Sequence, residues 1–361
     1  MSKALRFVSR IAPTVLTAAG VIYLVYMIIS SSPSAKAGLL SYIYCVGSSG
    51  YSPENLSYYA KASSAGVSDW IATSSYPVGV DDAGCSIYRN YIYCVGTNAT
   101  EQENQTYYAP ISGSGIGKWI ATTPYPIKFW LAGCSAYNGY LYCVGDWLAP
   151  SNQAYYAPIA RNGIGKWSGT TGYPIPMYWA GCSIYDGFIY CVGSGAVAHK
   201  PGESEPQKGE PGAQDMNATF FAAVSRNGIG NWTRTTDYPG PMVFGGCSIY
   251  NSYIYCVGGE YLGNQTYYAK VSRNGIGSWT RTTDAPIGIV EGACPIHNGY
   301  IYCVGSRDNR SIGHQVWYAP VSGSGIGAWK ESTPYPIPYW GDSYCQMPGS
   351  GGGFLGGGGP D

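Results

Sequence analysis

The tetrapeptide Tyr-Cys-Val-Gly occurs six times in this chain of 361 residues, and this repeat limits the possible folds more than any other feature. Its cysteine lies at Cys45, Cys94, Cys143, Cys191, Cys256 and Cys303, at spacings of 49, 49, 48, 65 and 47 residues. Periods of this length indicate an array in which copies of one structural unit pack against their neighbours. Each period contains four short apolar runs rich in Tyr, Ile and Val and bounded by Gly, Asn or Pro. We therefore predict four β-strands per unit, named a to d in chain order.

Strands a and b are predicted to form a hairpin that a disulfide joins. Asp186-Gly187 suits a two-residue type I′ turn, which needs positive φ at both central residues. Counting outward from this turn places Cys182 opposite Cys191, at a pair where side chains approach closely. The same nine-residue spacing predicts five disulfides: Cys85-Cys94, Cys134-Cys143, Cys182-Cys191, Cys247-Cys256 and Cys294-Cys303. Buried free thiols are the alternative, whereas a zinc site is disfavoured because these pairs lack the short Cys-x₂-Cys spacing.

Strands c and d repeat in a fixed register, and the ends of the array indicate a closed ring. In every unit an aromatic residue lies eleven residues before a tryptophan: Tyr59-Trp70, Tyr108-Trp119, Tyr156-Trp167, Phe221-Trp232, Tyr268-Trp279 and Tyr318-Trp329. The first unit has no strand a, whereas the chain ends with a lone candidate strand a around Cys345. Ring closure would place Cys345 opposite Cys45 and remove the exposed sheet edges. We predict an all-β, six-bladed β-propeller of four-stranded blades over residues 41–347, with an insert at 194–216 in the fourth blade.

The unit resembles the kelch repeat. The likeness lies in the Ile-Tyr-Cys-Val-Gly-Gly run of Ile254 to Gly259 and in the Tyr and Trp of strands c and d, and it extends over roughly residues 41–346. Only one blade keeps both glycines, and the paired cysteines are additional to the kelch pattern. The resemblance implies the propeller fold, whereas kelch-like rings include adaptors, lectin-like modules and oxidases, so it names no single function.

The N-terminal residues predict export. Ala12 to Ile29 carry no charge and follow Lys3, Arg6 and Arg10, an asymmetry that keeps an N-terminus in the cytoplasm. We expect a cytoplasmic segment at 1–10, a transmembrane signal anchor or a signal peptide at 11–30, and a linker at 31–40. Eighteen apolar residues favour an anchor, whereas Ala35-Lys36-Ala37 matches a cleavage site. Both alternatives place the propeller outside the cell, and a flexible Gly-rich tail is expected at 348–361.

Other sequence features agree with an exported protein. Seven glycosylation sequons are predicted, at Asn55, Asn98, Asn104, Asn217, Asn231, Asn264 and Asn309. Twelve cysteines in even number are typical of an oxidising compartment. Equal numbers of basic and acidic residues, 20 of each, argue against nucleic-acid binding. The insert at 194–216 is rich in Pro, Gly and charge, so we expect a solvated loop.

The connections from strand d to the next strand a vary most informatively between blades. A propeller places the a-b and c-d turns on one face and the b-c and d-a connections on the other. The d-a connections supply a predicted ligand-binding set at the channel mouth: Asp81, Asp82, Phe129, Trp130, Tyr178, Trp179, Phe244, Glu291, Tyr339, Trp340 and Asp342. Aromatic faces with a few carboxylates suit a sugar, a peptide or a cation. Alternatively, these aromatic residues fill the channel and pack between blades.

We expect no cofactor and no metal. The three histidines, His199, His297 and His314, fall on connections at different faces and do not form one set of ligands, and we expect each to be a surface residue. The sequence thus predicts a cell-surface recognition or adhesion module that binds a glycan or protein partner through the b-c/d-a face. A structural cell-envelope component is the alternative. A secreted carbohydrate-active enzyme using carboxylates such as Asp81 or Glu291 is less favoured, because nothing in the sequence sets their separation.

Overall fold

The computed structural model describes eleven stretches of the chain: residues 42–49, 53–80, 83–96, 104–128, 133–145, 152–177, 181–193, 216–259, 261–306, 313–337 and 344–349. The predicted N-terminal segments at 1–40, almost all of the insert and most of the tail lie outside these residues, so their boundaries stay predictions. Within the described stretches, no helix has the length and apolar character needed to cross a membrane.

The described chain is an all-β, six-bladed propeller, as the repeat predicts. The first two blades contain β1 (Tyr42–Ser49), β2 (Pro53–Ser63), β3 (Gly66–Val67), β4 (Ile71–Ala72), β5 (Gly84–Tyr88), β6 (Tyr91–Val95), β7 (Thr106–Ser112), β8 (Gly115–Ile116) and β9 (Ile120–Ala121). The third and fourth contain β10 (Gly133–Tyr137), β11 (Tyr140–Val144), β12 (Ala154–Ala160), β13 (Gly163–Ile164), β14 (Ser168–Gly169), β15 (Gly181–Tyr185), β16 (Phe188–Val192), β17 (Thr219–Ser225), β18 (Gly228–Ile229) and β19 (Thr233–Arg234). The last two contain β20 (Gly246–Tyr250), β21 (Tyr253–Val257), β22 (Thr266–Ser272), β23 (Gly275–Ile276), β24 (Thr280–Arg281), β25 (Ile296–His297), β26 (Tyr300–Val304), β27 (Val316–Ser322), β28 (Gly325–Ile326) and β29 (Lys330–Glu331), and β30 (Tyr344–Gln346) joins the first blade.

Each blade differs from the prediction at its outer strand. Strand d consists of two pieces of two residues each, such as β8 and β9, and both pieces pair with strand c. The chain between the pieces turns the tryptophan of each blade towards the preceding blade, where its indole N–H donates to a backbone carbonyl. Trp119 donates to Ser74 in this way at 3.0 Å. The outer edge is consequently short, which limits edge-to-edge pairing with other chains.

The inner hairpins agree with the predicted turns and disulfides. Asn138, Asp186 and Asn298 have φ near +46°, and the glycine after each also has positive φ, as a type I′ turn requires. Cys182 pairs with Cys191 in register and bonds to it. All six predicted disulfides are present: Cys45-Cys345, Cys85-Cys94, Cys134-Cys143, Cys182-Cys191, Cys247-Cys256 and Cys294-Cys303. No free cysteine remains, which fits an oxidising, extracellular environment.

Aromatic side chains join neighbouring blades around the whole ring. Each of the six strand-d tryptophans donates to a carbonyl of the preceding blade, at 3.0 to 3.2 Å. One of these bonds, from Trp70 to Thr333, joins the first blade to the sixth and so closes the ring. Tyr302 reinforces the same junction by donating to Ser63 at 3.0 Å. Burial raises the pKa of Tyr302 well above its usual range, so its hydroxyl remains a proton donor. Repeated Tyr and Trp positions are thus explained by contacts between blades.

The ring closes in the first blade, where strand a comes from the C-terminal end of the propeller. β30 pairs with β1 through three residue pairs, with Cys345 opposite Cys45. Beside it, strand a of the sixth blade is only the two residues of β25 and ends at His297. The same repeat position holds Tyr88, Tyr137, Tyr185 and Tyr250 in the second to fifth blades. His297 is buried, and its imidazole donates a hydrogen bond to the backbone carbonyl of Pro348, two residues after β30. This histidine therefore belongs to the closing seam and is not a surface residue.

Acidification is expected to destabilise this seam. Burial holds the pKa of His297 below the 6.5 of an exposed histidine, although the hydrogen bond to Pro348 raises it. As pH falls through 6.5, the unfolded chain gains a proton at this imidazole and the folded chain does not, so the free energy of unfolding decreases until the folded-state pKa is reached. His297→Tyr introduces the residue of the second to fifth blades. Its unfolding free energy, measured in urea from about pH 7 to pH 5, should decline less steeply than that of the parent protein. Parallel declines would contradict this prediction.

Candidate functional site

Two d-a connections meet inside the b-c/d-a end of the propeller. Phe244 lies between the fourth and fifth blades and Glu291 between the fifth and sixth, each three residues before the cysteine of the next strand a. The backbone N–H of Glu291 donates to the carbonyl of Phe244 at 2.8 Å. Both residues have left-handed backbone, with φ of 60° and 57°. Non-glycine residues adopt this conformation at a cost, which the surrounding structure must offset.

Apolar packing joins these connections to one another. Val80, Val243, Phe244 and Val290, from three different d-a connections, belong to one buried cluster with Met216. The carbonyl of Met216 accepts from the N–H of Met242 at 2.9 Å, so the end of the insert is tied to the fourth connection. Phe244 and Glu291 are each 1% exposed. They form the floor of the b-c/d-a face and do not present their side chains to solvent.

The remaining members of the predicted ligand set lie outside the described residues: Asp81, Asp82, Phe129, Trp130, Tyr178, Trp179, Tyr339, Trp340 and Asp342. Their role in binding stays a prediction. By repeat position, Phe244 and Glu291 correspond to Asp82, Leu131, Trp179 and Asp342. The six equivalent positions thus hold three carboxylates, two aromatic residues and one leucine.

The sequons at the start of strand c have a structural role. The side-chain amides of Asn55, Asn104, Asn217 and Asn264 each donate to a backbone carbonyl 21 residues later, at 2.9 to 3.2 Å. Asn152, which is not part of a sequon, makes the same bond at 3.2 Å. The bond alone therefore accounts for asparagine at this position. Asn231 is exposed beside strand d, whereas Asn98 and Asn309 lie outside the described residues, and glycosylation stays a prediction at all seven.

The opposite face presents a second chemistry that the sequence analysis missed. At the end of strand a in the second to fifth blades, a half-buried tyrosine reaches the a-b turn of the next blade. Tyr185 Oη lies 2.9 Å from Ser252 Oγ, and the hydroxyl of Tyr88 lies beside Gly139. Arg89 stacks over Tyr88, with its guanidinium carbon 5.3 Å from the ring centroid. In the sequence, a tyrosine, a two-residue turn and a second aromatic residue recur in this order. This pattern could have indicated an aromatic surface at the a-b turns, but it predicted only a hairpin.

Arginine side chains extend from the same face. The c-d turns of the third, fourth and fifth blades carry Arg161, Arg226 and Arg273, all exposed. Arg273 approaches Asp186, in the a-b turn of the preceding blade, at 3.4 Å, with both side chains more than half exposed. An exposed pair of this kind contributes little to stability, so these arginines remain available to a partner.

Within the described residues, the structure contains no cluster of three His, Cys, Asp or Glu side chains suited to a metal ion. A depression of about 150 Å³ lies at the c-d turn of the second blade, lined by residues 110–112 and 114–117. This volume is below the several hundred Å³ typical of small-molecule sites.

Comparisons with known proteins agree on the fold alone. No protein-family profile matches the chain, and no curated protein sequence matches it. Among solved structures, 262 chains match. One is the structure of YjhT, which is 14% identical, with a TM-score of 0.53 over 73% of this chain and 86% of that chain. The structural similarity supports the propeller fold, and the low identity limits the conclusion to the fold. Propellers include both binding modules and enzymes. The kelch resemblance stays a hypothesis.

Proposed function

We propose that this protein is an exported, membrane-anchored recognition module that binds a glycan or a protein partner at its b-c/d-a face. The observation that carries the proposal is the contrast between an almost constant scaffold and variable d-a connections. Every blade has a disulfide and an interblade tryptophan bond. The d-a connections change chemistry from one to the next, with Asp81 in the first, Trp130 in the second and Tyr178 in the third. Variable side chains on a rigid scaffold are the usual location of binding residues.

The chemistry at this end suits neutral or cationic ligands. The b-c and d-a connections contain 15 of the 20 acidic residues and 5 of the 20 basic residues of the chain. The d-a connections also contain Trp130, Trp179 and Trp340, whose indoles offer flat apolar faces to sugar rings. Phe244 and Glu291 would act indirectly, by holding adjacent connections in place. A secreted carbohydrate-active enzyme stays the less favoured alternative.

A glycan array probed with the full chain in detergent tests the proposal. We expect binding to a small group of glycans, and at least a tenfold loss of affinity in the variant Trp130→Ala, Trp179→Ala, Trp340→Ala, since stacking contacts of this kind contribute roughly 1 kcal/mol or more each. The matched control is Ile71→Ala, Ile120→Ala, which removes two exposed apolar side chains from the outer strands of the first two blades. This control should bind like the parent protein.

The absence of glycan binding, in the parent and in both variants, would count against the glycan form of the proposal. A structural role is the second candidate, and one observation favours it. Ile71 and Ile120 are 53% and 45% exposed on outer strands, at a position that holds threonine in the fourth and fifth blades. Self-association measured by sedimentation in the same samples, and lost in Ile71→Ala, Ile120→Ala, would support a structural envelope component.

A further inference from the structure

The chain enters and leaves the propeller on the a-b/c-d face. β1 is strand b of the first blade and begins at Tyr42, and β30 is strand a of the same blade and ends at Gln346. The two strands pair antiparallel, so these ends lie together where every other blade has its a-b turn. Any segment that precedes Tyr42 is therefore joined to this face. The charge-free run from Ala12 to Ile29 precedes it by only twelve residues.

Charge is unequally divided between the two faces. The five a-b turns and six c-d turns contain four basic residues, Arg89, Arg161, Arg226 and Arg273, against one acidic residue, Asp186. The segments between the two pieces of strand d add Asp69, Lys118 and Lys166. At the opposite end, acidic residues outnumber basic ones threefold in the b-c and d-a connections. A molecule polarised in this way turns its a-b/c-d face towards an anionic surface.

Tyrosines on this face suit a lipid–water boundary. Tyr88, Tyr137, Tyr185 and Tyr250 end the inner strands, and Tyr91, Tyr140, Tyr253 and Tyr300 begin the neighbouring strands. All are partly exposed. Tyrosine is enriched at membrane interfaces, because its ring is apolar and its hydroxyl is polar. Arginine beside these rings supplies the cation that phosphate headgroups attract.

We propose that the a-b/c-d face docks on the anionic lipid headgroups of the membrane that the N-terminal segment is predicted to enter. Arg161, Arg226 and Arg273 make the principal electrostatic contact, and the tyrosines around the a-b turns lie at headgroup depth. The b-c/d-a face then points away from the membrane, where a glycan or protein partner has access. Docking concerns a different face from ligand recognition, so either can fail without the other.

Arginine modification of the full chain in lipid nanodiscs tests the docking. Discs of phosphatidylcholine are compared with discs containing about 30% phosphatidylglycerol, and phenylglyoxal adducts are counted at each arginine by mass spectrometry. We expect slower modification of Arg161, Arg226 and Arg273 in the anionic discs. Arg234 and Arg281, exposed on the outer strands and paired with Asp237 and Asp284, are internal controls whose rates should not change.

The chain provides its own replacement turns. In the second and sixth blades, Gly113-Ser114 and Gly323-Ser324 occupy the place of Arg-Asn. In a variant with Gly-Ser at 161–162, 226–227 and 273–274, the equilibrium constant for docking on anionic lipid should fall roughly 100-fold, because three cations near an anionic surface are removed. The readout is hydroxyl-radical oxidation of Tyr137 and Tyr250. Lysine at the three arginine positions should retain protection of these tyrosines.

Several outcomes would overturn the proposal. Equal modification rates in neutral and anionic discs, or lipid protection that persists in the Gly-Ser variant, would show that the arginines do not meet lipid. Protection confined to the b-c connections would place the membrane on the other face. If the full chain did not insert into nanodiscs, both the predicted membrane anchor and the docking proposal would be wrong. If soluble dextran sulfate slowed modification of the three arginines and anionic lipid did not, the partner of this face would be an anionic polymer and not the membrane.

Discussion

Removing the ring-closing disulfide with Cys45→Ser, Cys345→Ser should lower the free energy of unfolding by about 5.5 kcal/mol, against about 2.5 kcal/mol for Cys182→Ser, Cys191→Ser. The reason is loop size, since the two bonds close loops of 300 and 9 residues. Without its cross-link, the unfolded chain gains far more conformational freedom in the first case. The two pairs are well matched otherwise, because all four cysteines are fully buried.

Urea unfolding followed by tryptophan fluorescence measures the difference, with hydrogen exchange at Tyr44 and Val46 reporting directly on the seam. We expect faster exchange there, because three residue pairs alone then hold β30 against β1. In the fourth blade, five pairs and a tight turn remain after the hairpin disulfide is lost. Equal losses of stability in the two variants would show that packing between the first and sixth blades closes the ring without help from the bond.

Trp119→Ala should cost about 4 kcal/mol of stability, and Trp329→Ala about 2 kcal/mol. Both indoles donate to a carbonyl of the preceding blade, at 3.0 and 3.1 Å, so the hydrogen bond cancels in the comparison. Trp119 also packs edge-on against Tyr76, with centroids 4.8 Å apart, and is buried. At the position equivalent to Tyr76, the blade before Trp329 has Ala285, so Trp329 lacks this aromatic partner and is more exposed.

The same urea experiment, with a Tyr76→Ala variant added, checks this assignment. Combining Tyr76→Ala with Trp119→Ala should cost less than the sum of the two single changes, because each removes the same contact. Additive losses, or equal losses at Trp119 and Trp329, would mean that the interblade hydrogen bond dominates and that the tyrosine ring contributes nothing specific.

Spacing in the sequence was sufficient to predict the ring, because the cysteine pairs and the Tyr-to-Trp interval are set by backbone geometry within one blade. The two-piece strand d was not predictable in this way. Strand d is divided because the chain turns between its two pieces, so that the indole of a tryptophan such as Trp119 donates to a carbonyl of the neighbouring blade. Contacts between units depend on how blades are placed in space, and strand periodicity does not contain that information.

The predicted site was harder to derive from the residues. Glu291 is charged and lies in a connection between strands, so exposure was the natural expectation. The hydrogen bond to Phe244 and the packing of adjacent connections bury it instead. The burial of His297 was also unexpected, and the reason is that the chain after β30 passes beside it, where Pro348 accepts its hydrogen bond. The tyrosines of the a-b/c-d face were overlooked because both sides of the inner strands are apolar, and this pattern predicts packing more readily than a surface.

The strand exchange in the first blade also imposes an order on biosynthesis. Cys45 is made 300 residues before Cys345, which at ordinary rates of synthesis is an interval of roughly 15 to 60 s. Each of the five hairpin pairs can oxidise as soon as both of its cysteines, nine residues apart, reach an oxidising compartment. Throughout that interval Cys45 lacks its native partner, which is the last cysteine of the chain to be made. Correct maturation therefore requires that Cys45 enters no lasting disulfide with another cysteine until translation is almost complete.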